Sequence, residues 1–349
     1  MKWNWQQKNW PELAYNASAL TELEERFIAE SSKLIGASSM ITEEQEQRFT
    51  IDLMSEEALK SSKIEGEMLS RDSVASSLLR QLGLAPEYSD HRANDKEKGI
   101  AALMVDNCRA FNQSLTHEMM FKWHPCVVTK SFLIRDIGKY RTSSEPMQVV
   151  SDYEGEQKVH FIAPPSTQVL EEMDTFVKWY NDTAPGGNNP LPPLTRAGVA
   201  HIYFLTIHPF EDGNGRIGRA LSEKALTQSL GRPALIALSH VIEKTRPEYY
   251  RQLEWNQKGL DIDSWLSYFS SASLDAVDHS QKLVKLGALT KTGQLKGTRY
   301  WLNLGKAFES EKNQHLAELK ERSEQRERPR ERALKIYIVI FQKNFLTVS

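Results

Sequence analysis

Apolar residues recur at helical spacing through most of the first 130 positions. Leu20, Leu23, Phe27 and Ile28 mark one stripe; Phe49, Leu53, Ala58 and Ile64 mark a second, which begins near Glu43 and is interrupted by Gly66. Leu78, Leu79, Leu82 and Leu84 form a third, for which Pro86 predicts the boundary. Two further amphipathic helices are expected over 96–111 and 115–127. Ahead of them all, Trp3, Trp5 and Trp10, followed by Pro11, read as an aromatic arm that docks on the body of the molecule. The spacing then changes. Met147–Val150 and Val159–Ile162 flank Tyr153-Glu154-Gly155-Glu156, the pattern of a small β-hairpin closed by a glycine-containing turn. Helical spacing returns at Val169, Met173, Phe176 and Trp179, and a Gly/Asn/Pro-rich connector covers 184–193. Val199, Ile202, Tyr203 and Ile207 then predict a buried helix that runs into His208-Pro209, and 219–230 reads as the next helix. The fold class is therefore mainly α, with one small hairpin in the middle of the chain.

Composition narrows the class without naming a function. With 349 residues, 40% of them hydrophobic, 26% charged and a net charge of −2, the chain is an ordinary globular protein, neither a disordered segment nor a globally basic nucleic-acid binder. The length exceeds one hydrophobic core and suggests two or three parts, divided as an N-terminal helical region over 1–95, a central core over 96–274, and a C-terminal segment with a charged tail over 275–349. Cys108 and Cys126 have no metal-type spacing and read as free thiols in a reducing setting. No run approaches the ~20 apolar residues that span a bilayer, and the start of the chain lacks a secretory pattern, so a cytoplasmic location and no membrane partner are expected.

The chemistry concentrates between His208 and Arg219. A residue before proline avoids the helical region, so the helix should end at His208 and expose its imidazole at a corner. Asp212-Gly213-Asn214-Gly215 supplies residues that tolerate positive φ and let backbone N–H groups converge on an anion. Arg216 and Arg219 follow at the start of a helix whose dipole also favours phosphate. Each feature alone has an ordinary structural explanation; a base, a carboxylate, a glycine cradle and two guanidinium groups in order within one short segment are harder to ascribe to packing.

The run His208-Pro209-Phe210-Glu211-Asp212-Gly213-Asn214-Gly215-Arg216-Ile217-Gly218-Arg219 resembles the complete Fic-family signature, HPFx(D/E)GNGRxxR. The resemblance implies a helical Fic core and a protein adenylyltransferase that moves AMP from ATP, with Mg²⁺, onto a Ser, Thr or Tyr hydroxyl of a target protein or of itself. By position, His208 would be the base, near its ordinary pKa of roughly 6.5. Asp212 would hold Mg²⁺; Gly213, Asn214 and Gly215 would cradle the α- and β-phosphates; Arg216 would assist and Arg219 would grip the γ-phosphate; Phe210 would anchor the loop from within. The hairpin falls where the family places a flap that registers the target backbone, which would act by β-augmentation.

Two further segments carry the same resemblance. Arg246-Pro247-Glu248-Tyr249-Tyr250 and Asn256 resemble the adenosine pocket, with Tyr249 and Asn256 seven residues apart on one helical face. Ser61-Ser62-Lys63-Ile64-Glu65-Gly66 resembles the inhibitory motif (S/T)xxxE(G/N), in which Glu65 would pair with Arg219, Ser61 would share its helix face, and Gly66 would allow close approach to the site. The same carboxylate could orient water, so removal of AMP remains the alternative direction. Residues 281–289 and 297–302 partly resemble the last helix and wing of a winged-helix module. A nucleotide-sensing DNA-binding regulator is thus a competing function, although DNA is not an expected partner because the module's earlier helices are missing between Ser270 and His279. Self-association into a homodimer is a further implication of the family. The mixed charges of 318–332 read as a solvated helix, and Ile336–Phe341 as a strand or buried turn.

Overall fold

A computed structural model describes residues 2–38, 41–84, 93–128, 134–153, 156–233, 236–287, 289–292 and 299–302. Met1–Ser39 and Glu44–Gly287 pack as one compact unit. Its elements are α1 (Ala17–Ser38), α2 (Glu43–Ile64), α3 (Arg71–Leu82), α4 (Asp95–Arg109), α5 (His117–Val127), the hairpin β1 (Gln148–Tyr153) and β2 (Glu156–Ile162), α6 (Val169–Asp182), α7 (Pro193–Ile207), α8 (Asn214–Leu230), α9 (Leu238–Lys244), α10 (Arg246–Asn256) and α11 (Asp263–Gly287). None of these helices is long and apolar enough to cross a membrane.

The core is built around α7, whose residues from Leu194 to Ile207 are all buried. A helix surrounded on every side must satisfy its polar side chains internally. Arg196 donates to the carbonyls of Tyr180 and Ala225 and to Gln228, while His201 bridges Ser222 and Tyr249. Its first turn is held from α1, where the Glu24 carboxylate accepts from the backbone N–H groups of Leu194 and Thr195 at 2.9 and 2.7 Å. An anion on those leading N–H groups complements the helix dipole as well as capping it. Close packing follows from small residues. A Cβ at Gly198 would strike Leu266 and Phe269 of α11, and Trp265 donates to the Gly198 carbonyl at 2.8 Å. The aromatic arm docks as its composition suggests: Trp3 meets Phe161 edge-on, Trp10 meets Tyr203, and the Trp5 indole donates to the Ile162 carbonyl.

β1 and β2 are antiparallel, with Val149 opposite Phe161 and an irregularity between Val149 and Val150. Phe161 is buried, whereas Val150 and Val159 face solvent. Three details differ from the sequence reading. Ile28 lies on the exposed side of α1 rather than in the stripe formed by Leu20 and Phe27. α3 ends at Gly83, whose left-handed backbone caps it, three residues before Pro86, which lies outside the described residues. α11 runs unbroken through residue 275, where the sequence suggests a new segment. Described by itself, the second unit (Met40–Glu43 with Ala288–Ser349) contains an antiparallel pair, β3 (Leu289–Thr292) and β4 (Arg299–Leu302); the stretches 318–332 and 336–341 lie outside the described residues.

Candidate active site

α7 stops at His208, which takes φ 50° and ψ 59°, and among the described residues it is the one non-glycine with positive φ. Such a conformation costs an L-residue about 1–2 kcal/mol and persists only where the surroundings impose it. Arg141 helps to impose it. Its guanidinium donates to the carbonyls of His208 at 2.8 Å, Ile207 at 3.4 Å and Pro164 at 2.5 Å, and its backbone N–H donates to Pro209. One buried side chain therefore satisfies the open carbonyls at the end of α7 and ties the base of the hairpin to the loop.

The His208 imidazole is partly buried rather than exposed as the sequence suggests, and burial pushes its pKa down to about 4 instead of leaving it near 6.5. Its Nδ1 lies 3.3 Å from the Leu205 carbonyl. Since a carbonyl only accepts, the proton belongs on Nδ1, and Nε2 carries the lone pair.

The loop beneath is fastened from inside. Phe210 is fully buried and stacks on His124 at 4.2 Å, nearly parallel. The Asn214 amide accepts from the Phe210 N–H at 3.0 Å and donates to the Phe210 carbonyl at 2.8 Å. Asn214 thus braces the loop with both ends of its side chain. His124 accepts from the Gly138 N–H and donates to the Asp212 carbonyl at 3.1 Å, while Glu211 accepts from the N–H groups of Arg135 and Asp136. Gly213 has φ 81° and precedes α8 without any side-chain cap, so the leading N–H groups of that helix are not satisfied by a capping side chain. Asp212 is more than half exposed, with Oδ1 accepting from Gly213 and Oδ2 3.6 Å from Arg216.

The two arginines are almost completely buried, and both meet carboxylates from the segment that follows α2. Arg219 Nη2 lies 2.8 Å from Glu65 Oε1 and also donates to the Ser61 carbonyl at 2.8 Å; Arg219 Nε donates to Ser61 Oγ at 2.9 Å. Burial works against the Arg219 charge, but the Glu65 carboxylate together with Tyr249 and Tyr250 outweighs it and raises the pKa. Arg216 pairs with Glu67, whose other oxygen takes Lys96. Arg216 Nε and Arg219 Nη1 remain buried without a hydrogen-bond partner among the described residues.

Glycine has a different use here from the expected one. A Cβ at Gly66 would meet open space, and its φ of 84° serves to turn the chain after α2. The close approach occurs at Gly215, where a Cβ would overlap Glu65 Oε1 and crowd Arg219 Nη1.

The expected adenosine pocket divides in two. Tyr249 and Asn256 do share a face of α10, but that face is turned inward. Tyr249 is 1% exposed with its hydroxyl 2.8 Å from His201, and the Asn256 amide is used by Gln252 and Ser264. Neither offers a surface to a ligand in this conformation. Tyr250 is 38% exposed, donates to the Ile64 carbonyl at 3.2 Å, and lies under the Arg246 guanidinium. Sequence reasoning missed Arg141, His124 and Glu67. Only Glu67 left a signal: acidic residues at 65 and 67 match two arginines three positions apart.

Residues 114–226 match the Fic/DOC family, and residues 3–84, which include the segment 61–67, match a domain of unknown function, DUF4172. Protein adenylyltransferase fic-1 of Caenorhabditis briggsae is 32% identical over 105 residues, covering 30% of this chain and 19% of that protein. Protein adenylyltransferase Fic of Nematostella vectensis is 26% identical over 168 residues, covering 48% of this chain and 34% of that protein. The similarity therefore spans about a fifth to a third of the length of these relatives. Among solved structures, a Fic family protein from Desulfovibrio desulfuricans G20 aligns with TM-score 0.55 and 19% identity over 84% of this chain and 98% of that one. A Fic domain containing signaling protein from Bacteroides thetaiotaomicron VPI-5482 aligns with TM-score 0.55 and 22% identity over 75% and 97%. The signature loop, the helices that seat it and these likenesses agree: the chain carries a Fic/DOC-family domain over residues 114–226.

Proposed function

We propose that this protein transfers AMP from ATP to a Ser, Thr or Tyr hydroxyl of a target protein or of another copy of itself, and that Glu65 restrains the reaction. The observation that carries the reading is the pair of buried guanidinium N–H groups, Arg216 Nε and Arg219 Nη1, without partners among the described residues and beside a helix start that has no side-chain cap. Buried donors without acceptors are costly, and a polyphosphate supplies acceptors of the right charge.

His208 Nε2 takes the proton of the attacking hydroxyl as its oxygen bonds to the α-phosphorus; the bond from that phosphorus to the bridging oxygen breaks, and pyrophosphate departs with the electron pair. The N–H groups at the start of α8, together with Arg216, stabilise charge that develops on the leaving side. Arg219 holds the terminal phosphate. The exposed Asp212 carboxylate suits Mg²⁺, which favours one or two carboxylates completed by phosphate oxygens and water, and the ion would neutralise phosphate charge there. Tyr250, a partly exposed ring of α10 bonded to the Ile64 carbonyl next to Glu65, is the residue best placed to meet the base.

In the conformation described, Glu65 occupies Arg219 and Glu67 occupies Arg216, so a productively bound triphosphate must displace both carboxylates. Glu67 extends the restraint beyond the six-residue motif. The test is mass spectrometry of the Glu65→Gly protein after incubation with ATP and Mg²⁺, alone and with a cell lysate. AMP adducts on hydroxyl side chains, absent when His208→Ala is added, are expected. No adduct from either the Glu65→Gly or the unaltered protein overturns the proposal, and release of AMP from an AMP-bearing protein in place of transfer assigns the reverse direction.

A further inference from the structure

Away from the loop, Glu56 of α2, His240 of α9 and His279 of α11 converge. Glu56 Oε1 lies 2.5 Å from His240 Nδ1, and Glu56 Oε2 lies 3.2 Å from His279 Nε2. One donor atom from each residue falls within 4.8 Å of the others. The two rings lie nearly parallel, 3.8 Å apart, and His240 Nε2 is buried without a hydrogen-bond partner among the described residues. None of these residues belongs to the signature loop or to the motif around Glu65.

We propose that Glu56, His240 and His279 form a binding site for a borderline divalent transition metal such as Zn²⁺, distinct from the Mg²⁺ position at Asp212. Two imidazoles and one carboxylate are a donor set for zinc or cobalt, whereas Mg²⁺ and Ca²⁺ favour oxygen alone. Donors bound at about 2.0–2.1 Å around a tetrahedral ion stand roughly 3.4 Å apart. The present arrangement brackets that spacing, and the broad second torsion of histidine allows the rings to splay until their lone pairs meet. The side chains of Glu56 and His279 are 14% and 24% exposed, which leaves an entry path and room for water as a fourth ligand.

The ion would join the middle of α2 to two helices of the core. Glu56 lies nine residues before Glu65, about 13 Å along the helix at 1.5 Å per residue. A bond network there steadies the element that carries the restraining carboxylate. This consequence rests on the function proposed above; the binding itself does not.

The full-length, tag-free, chelator-treated protein should be titrated with Zn²⁺ by calorimetry and with Co²⁺ by visible absorption. One equivalent bound with micromolar or tighter affinity is expected, with an intense low-coordinate cobalt spectrum, and both His279→Ala and Glu56→Gln should weaken binding at least tenfold. His279→Ala removes a partly exposed ring, so its melting temperature provides the folding control. No stoichiometric binding, or equal binding by folded His279→Ala, overturns the site. A Zn²⁺-dependent drop in AMP transfer that His279→Ala abolishes supports the coupling to α2. Intact binding without that drop overturns the coupling alone.

Discussion

The signature loop and the segment 61–67 meet at the same two arginines but are held in opposite ways. The loop is fixed from beneath by packing and by hydrogen bonds whose acceptors are neutral: Phe210 against His124, Asn214 braced across Phe210, and Arg141 on the carbonyls at the end of α7. Segment 61–67 is fixed from above largely by charge, through the Glu65 and Glu67 carboxylates, each roughly a quarter exposed. Bonds to neutral acceptors place no anion in competition with a ligand, whereas carboxylates on guanidinium groups compete with it directly. The geometry of the site is thus permanent and its occupancy exchangeable.

Substitutions can separate the two kinds of attachment. The largest effect is expected from His208→Ala: in the Glu65→Gly background it should cut transfer by about 10²–10⁴-fold, the usual contribution of a general base, with little change in melting temperature. A large fall in stability instead would make the imidazole part of the loop's support. Phe210→Ala should cost about 3–5 kcal/mol of folding free energy in chemical denaturation, because it empties a fully buried site beneath the loop. A cost below about 1 kcal/mol would contradict a packing-held loop. Glu65→Gly should raise initial transfer rates by about 10–100-fold, the equivalent of a charged hydrogen bond worth about 1.5–3 kcal/mol. Glu67→Gln should raise them only by about two- to fivefold, since Glu67 divides its carboxylate between Arg216 and the partly exposed Lys96, and an effect as large as that of Glu65→Gly would reverse the ranking of the two carboxylates. The smallest effect is a displacement of the pH profile. Burial depresses the His208 pKa to about 4, so the base form persists as pH falls through 6, and the acid limb should lie near 4. Glu65 favours the protonated ring, so its removal should move the limb lower; a limb near 6.5 in initial rates would indicate an imidazole in open solvent.

Helix periodicity made most of the fold legible. The second apolar stripe, begun near Glu43 and broken by Gly66, located α2 (Glu43–Ile64), and the glycine turn between two alternating runs located the hairpin. What failed was assigning a purpose to a residue from its type. Gly66 and Gly215 exchange the functions their neighbours suggest, because which backbone a distant carboxylate approaches depends on helix packing and not on local sequence. Tyr249 and Asn256 share a helical face as their spacing requires, yet spacing says nothing about whether that face meets a ligand or His201. Arg141 lies 67 positions from the carbonyl it supports and leaves no periodic trace.

The missing side chain at Gly215 has a further consequence. It leaves a slot in which Glu65 Oε1 sits against the start of α8 and Arg219, a place sized for one anionic oxygen. Under the proposed function, a carboxylate tethered there would act as an internal competitor at fixed local concentration, and a nucleotide's apparent affinity would fall in proportion to the fraction of time the slot is taken. Occupied 99 times in 100, it would make productive ATP binding about a hundredfold weaker than the same loop alone. The cellular ATP level would then set the working rate, through a residue that is itself never consumed.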